Sequence, residues 1–194
     1  MTQRDQTHKP LTAVAQDAVA AALFDGAKAI DATMGNGHDT VFLARQVGPN
    51  GSVIAFDIQS TAVAATACRI ERAGVAARVE LRQLGHEKLL AAVPTSWLGA
   101  VNAVMFNLGY LPGGDKTCVT LATTTCQALD HAIELLAANG VISILLYRHH
   151  AGAGPEVRAV TQWLSGLPDA YQVDRHETRG PVLHLITRRG PSEP

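Results

Sequence analysis

Four short stretches of this 194-residue chain carry side chains whose types and spacing could do chemistry together. The first is Asp31-Ala32-Thr33-Met34-Gly35-Asn36-Gly37-His38-Asp39-Thr40. Gly35 and Gly37, in a strand-to-helix turn, let the backbone approach a ligand in conformations that a Cβ would forbid. A dinucleotide fingerprint needs a third glycine where Thr40 stands, so a pyrophosphate is not the favoured ligand. Asp31 and Asp39 would repel a diphosphate and suit a cation. The second is Asp57, 20 residues beyond Gly37, where a carboxylate can accept both hydroxyls of a ribose. Gln59 can bond the same sugar or an adjacent base. The third is Leu84-Gly85-His86-Glu87, where an adenine ring falls if Asp57 holds the ribose. The fourth is the Gly-rich loop Asn107–Lys116, in which Asn107 offers both an acceptor and a donor to an amine or a base edge. Each has a plainer alternative: a tight turn, a helix-start carboxylate, a helix-opening histidine, an asparagine bonded to its own loop.

Strands and helices alternate so as to bring these stretches to one edge. The pattern predicts a helix over Leu11–Phe24 and strands over Ala27–Ala32, Ser52–Asp57, Arg78–Leu84, Val101–Phe106 and Val141–Tyr147. Helices are expected over Thr40–Val47, Thr61–Ala73, Thr117–Ala138 and Pro155–Leu164, punctuated by Gly48-Pro49-Asn50-Gly51, Gly74 and Asn139-Gly140. Tyr171–Thr178 and Val182–Arg188, split by Arg179-Gly180-Pro181, read as an antiparallel hairpin. The expected fold is α/β: one Rossmann-like domain over residues 1–194, with a polar tail over 1–10, an extra N-terminal helix, and a seven-stranded, mostly parallel sheet ending in that hairpin. In such sheets ligands bind beyond the carboxyl ends of the strands.

Composition narrows the partners. With 16 Lys+Arg against 17 Asp+Glu and 47% hydrophobic residues, the chain is neither a disordered polymer nor a basic coat for nucleic acid. Cys68, Cys118 and Cys126 form no Cys-x-x-Cys, so a reducing, cytoplasmic setting is expected, with no disulfide framework and no metal site. No window is long and apolar enough to suggest a membrane span.

Asp-x-x-x-Gly-Asn-Gly, Asp57, the strand-four asparagine loop and the terminal hairpin resemble class I S-adenosylmethionine (SAM)-dependent methyltransferases. More narrowly, Asp31–Thr40 (DATMGNGHDT), Phe56–Gln59 (FDIQ), Gly85-His86 and Phe106–Lys116 (FNLGYLPGGDK) are similar to the YtqB/MnmM family, whose members were long labelled rRNA methylases. That resemblance implies a tRNA methyltransferase that methylates the amine of 5-aminomethyl-(2-thio)uridine at the wobble position, within the anticodon loop; a homodimer is compatible with it. It implies that Asn36 and His38 line the methionine end of SAM, with Asp31, Gly35, Gly37, Asp39 and Thr40 completing the loop. Asp57 and Gln59 would hold the ribose, Gly85 and His86 would face adenine, and Asn107 would meet both cofactor and acceptor. His38 stands where the family often has Asn, and Gly85 where it often has Ser.

An amine acceptor must lose a proton, and Asp115, the Tyr147 region and His149-His150 are candidates to receive it. Tyr110 could stack on a flipped base. Arg148, Arg175, Arg179, Arg188, Arg189 and Lys116 could each touch a phosphate. Three other readings stand beside this one: a methyltransferase for rRNA or a small amine, an NAD(P)-dependent oxidoreductase, and a non-catalytic nucleotide-binding module.

Overall fold

The computed structural model describes residues 9–109, 120–148 and 153–190. Its elements run α1 (Leu11–Ala22), β1 (Lys28–Asp31), α2 (His38–Gln46), β2 (Ser52–Phe56), α3 (Ser60–Arg72), β3 (Val79–Arg82), α4 (Leu89–Ala92), β4 (Val101–Leu108), α5 (Ala122–Leu135), β5 (Leu136–Leu146), α6 (Ala153–Ser165), β6 (Tyr171–Glu177) and β7 (Val182–Arg188). The strands form one seven-stranded sheet in the order β3-β2-β1-β4-β5-β7-β6. β1 to β5 are mutually parallel. β7 runs antiparallel to both β5 and β6, which makes the expected C-terminal hairpin.

The central strands are apolar without alternation because both their faces are covered. Along β4, Ala103 and Met105 point into a core shared with α1, α2 and α3, through Leu11, Ala15, Val19, Leu43 and Ile70. Val104, Phe106 and Leu108 point the other way, against Leu89, Leu129, Leu135 and Val160 of α4, α5 and α6. Strand order reverses between β1 and β4, which pair at Asp31 and Met105. Their carboxyl ends therefore diverge into a crevice, the place where open α/β sheets bind ligands.

Several boundaries differ from the sequence reading; α1 ends at Ala22 rather than Phe24, and α5 begins at Ala122 rather than Thr117. The helix expected to reach Ala138 stops at Leu135, and Leu136 opens β5 instead. Leu136 is fully buried opposite Val101, and the register shifts between Val101 and Ala103 as the chain turns through Asn139 at φ 60°. Leu136, Ala137 and Ala138 favour helix on propensity alone, and strand pairing overrides it. β4 runs on to Leu108, so Asn107 lies on a strand rather than in a loop. Between β3 and β4 the chain makes 3-10 turns at His86–Lys88 and Thr95–Trp97 around the short α4, none of which the periodicity marks. No helix among the described residues is long and apolar enough to cross a membrane.

Candidate functional site

The turn after β1 is held from beneath. Asp31, with no solvent exposure, ends β1. Its carboxylate accepts the Thr40 hydroxyl at 2.6 Å and the Thr33 N–H at 3.2 Å. Burial, and then the charge of Asp39, push the Asp31 pKa up to about 7. Gly35 and Gly37 take φ values of 49° and 79°, the left-handed region that favours glycine. A Cβ on Gly37 would lie 2.8 Å from the Thr66 hydroxyl and 3.0 Å from the Thr66 Cα. Two bonds from α3 close the turn from outside: the Thr66 hydroxyl donates to the Gly35 carbonyl at 3.0 Å, and Arg69 Nε donates to the Asn36 carbonyl at 2.6 Å.

Asp57, at the end of β2, reads that turn directly. Its Oδ2 accepts the Gly35 N–H at 3.1 Å and its Oδ1 accepts the Gln59 N–H at 2.9 Å. A carboxylate has about four acceptor sites, so room remains on each oxygen for a ligand hydroxyl. Beside it Ile58 is 56% exposed, an apolar surface at the mouth of a polar site. His86 is buried, with its ring edge-on to Phe106 at a 6.0 Å centroid separation. Burial holds its pKa below the ordinary histidine value, against the charges of Glu87 and Glu156. The neutral ring donates to the Ala32 backbone, and Nε2 has no hydrogen-bond partner.

At the other end, three elements meet on one carboxylate. Asp39, in the first turn of α2, accepts Gln16 Nε2 of α1 on Oδ1 at 2.8 Å and Asn107 Nδ2 of β4 on Oδ2. The Asn107 backbone N–H donates to the Thr33 hydroxyl at 2.7 Å, which ties β4 to the turn after β1. Tyr147, directly after β5, has its pKa raised by burial and then by the charge of Asp39.

These groups line one cleft of about 870 Å3, within the size range of small-molecule sites. Gly35, Asn36, His38, Asp39, Asp57, Gln59, Gly85, His86 and Asn107 all face it. Asp31, Gly37 and Thr40 do not; they support the floor. Tyr110, Asp115 and His149, with Lys116 and Cys118, lie outside the described residues. Sequence reasoning missed Thr12 and Gln16 of α1, and Ile58, Thr120, Leu121 and Thr124. The apolar period of α1 marks its buried face and carries no signal for Gln16; an isoleucine directly after the strand-end acid was a legible hint. The described lining holds three carboxylates, Asp39, Asp57 and Glu87, and no lysine or arginine.

A family model described as "Putative rRNA methylase" matches residues 53–179, more than half of the chain. The chain belongs to this family. A protein of Arabidopsis thaliana, named as a chloroplastic tRNA (mnm(5)s(2)U34)-methyltransferase, is 40% identical over 151 residues, 74% of this chain and 54% of that protein. The chain thus spans about half the length of that curated relative. Among solved structures, the family resemblance extends through the whole sheet. A putative rRNA methylase of Clostridium thermocellum superposes with a TM-score of 0.89 at 36% identity, covering 94% of this chain and 99% of that one. A putative methyltransferase of Streptococcus mutans, solved in complex with SAH, superposes at 0.82 with 30% identity, covering 93% and 98%.

Proposed function

We propose that this chain is a SAM-dependent methyltransferase acting on tRNA, and that its acceptor is the amine of 5-aminomethyl-(2-thio)uridine at the wobble position, giving 5-methylaminomethyl-(2-thio)uridine. The observation that carries the reading is the charge of the cleft: carboxylates at both ends and no described lysine or arginine on its walls. A pyrophosphate-bearing nicotinamide cofactor would find no cation there, whereas a sulfonium finds a favourable field. The name of the Arabidopsis relative and the SAH complex of the streptococcal one support the same reading. The chain acts as one folded domain, in a cytoplasmic setting, with the anticodon loop as its partner; a homodimer is compatible with this reading.

When bound, SAM supplies a methyl group activated by a positively charged sulfur. The chain's own residues bind and orient. Asp57, with both oxygens anchored by backbone N–H groups, accepts the ribose hydroxyls. Ile58 gives the purine an apolar face, and Gly85 and His86 border the cleft beside it. Gly35 and Asn36 bring backbone close to the methionine end. Asn107 faces the acceptor, and holding the reactants in line supplies much of the rate.

The family description favours a second reading, an rRNA acceptor. Mass spectrometry of nucleosides from a strain lacking the protein decides between them. The proposal expects 5-aminomethyl-uridines to accumulate in tRNA; unchanged wobble nucleosides with a methyl group missing from rRNA would replace it with the second reading.

A further inference from the structure

The Gln16–Asp39–Asn107 cluster is more elaborate than a cofactor loop requires. It stands at the end of the cleft away from Asp57 and recruits α1, which lies outside the residues matched by the family model. A carboxylate can only accept hydrogen bonds, so Asp39 must meet the amide nitrogen of Asn107. That uses one of the two Nδ2 N–H groups and leaves Oδ1 as the only acceptor atom of the Asn107 side chain. Gln16 and Asn107 occupy one site on each Asp39 oxygen, leaving further lone pairs on both. The cluster thus holds two fixed acceptors side by side, an amide oxygen and a carboxylate.

We infer that Asp39 and Asn107 form a cradle that recognises a primary amine by its two N–H bonds, with Gln16 as the positioning residue that holds Asp39. This rests on the proposed amine acceptor and moves Asp39 from the cofactor to the substrate. A neutral primary amine has two N–H donors and one lone pair. Two acceptors on one side orient both donors, so the lone pair points away from the cradle. An ammonium group reaching the cleft first gives its extra proton to water. Once the nitrogen carries a methyl group, the neutral amine retains a single N–H and fills only one of the two acceptors. The cradle therefore favours the unmethylated amine over its products and limits the reaction to one methyl. Tyr147, beside Asp39, adds a hydroxyl that stays protonated.

The test is binding in the presence of SAH, measured by calorimetry at a pH at which the amines are largely neutral, with an anticodon stem-loop carrying 5-aminomethyluridine and with the same RNA carrying 5-methylaminomethyluridine. The wild type should prefer the primary amine by about tenfold or more, the scale of one hydrogen bond to a charged acceptor. In Asp39→Asn a donor faces the donors of Gln16 or Asn107, and in Asp39→Ala the acceptor is gone. In both, the preference should fall to about twofold or less, with SAH affinity close to wild type. Gln16→Ala should reduce the preference by a smaller factor, about threefold, a change that a merely structural role would not produce. An unchanged preference in the Asp39 variants overturns the cradle, because size alone would then exclude the methylated amine. A loss of SAH affinity of about tenfold or more in Asp39→Ala also overturns it, returning Asp39 to the cofactor. If the wild type binds SAH but neither RNA, the proposed acceptor fails first and the cradle with it.

Discussion

The two ends of the cleft are built by different means. The Asp57 end is backbone made specific: a strand-end carboxylate grips the N–H groups of Gly35 and Gln59, and both glycines of the turn adopt left-handed φ. The Asp39 end is side chains made rigid: α1, α2 and β4 each send one group into a shared bond network. Backbone geometry recognises what every user of the fold binds in common, and a side-chain network can be changed one residue at a time. On this account the first end holds the cofactor and the second selects the acceptor.

The sharpest way to break that division is Asp57→Ala. It removes a carboxylate that anchors two backbone N–H groups and, on this account, a ribose, so calorimetry should show SAM affinity reduced by about a hundredfold or more. Comparable affinity for SAM in wild type and variant would mean that the ribose lies elsewhere. Next in size is Gly37→Ala, which forces a Cβ into a left-handed residue and onto the Thr66 backbone. The expected cost is about 1–3 kcal/mol in chemical denaturation, with weakened SAM binding following from the displaced turn.

Asp31 gives a pH-dependent test of the floor that both ends share. Its folded pKa, about 7, lies above the ordinary aspartate value of 3.8. Between these values the folded chain keeps a proton that the unfolded chain has released, so stability falls as pH rises from about 4 to about 7 and then levels off. Asp31→Asn removes this dependence. It should be more stable than wild type above pH 7, by about 1–2 kcal/mol, and lose that advantage near pH 4. A stability difference independent of pH would refute the buried, protonated carboxyl. The smallest effect belongs to Tyr147→Phe at the acceptor end. Steady-state kinetics with tRNA should show kcat/KM lowered by about two- to tenfold, while SAH affinity stays unchanged.

The same contrast explains what the sequence made legible. The sheet, its hairpin and the Asp57 end could be read because their signals are local: apolar runs, Gly35 and Gly37, an acid closing a strand. The Asp39 end could not. Asp39 and Asn107 were marked as separate candidates, but their bond spans 68 residues and Gln16 reaches Asp39 from 23 residues upstream. Only tertiary structure makes neighbours of them. The passage from Leu135 to Leu136 misled for a related reason: the local preference for helix lost to pairing with Val101. Asp31 and Thr40 were expected to line the cofactor, yet burial, which a motif does not encode, turns them from lining into support.

The central claim is tested most directly by incubating the purified protein with SAM carrying a labelled methyl group and with tRNA containing 5-aminomethyl-(2-thio)uridine, then identifying the labelled nucleoside by mass spectrometry. The account predicts label on the wobble nucleoside as its monomethylamino form. Label on another nucleoside, or none on tRNA from a protein that binds SAM, would contradict it.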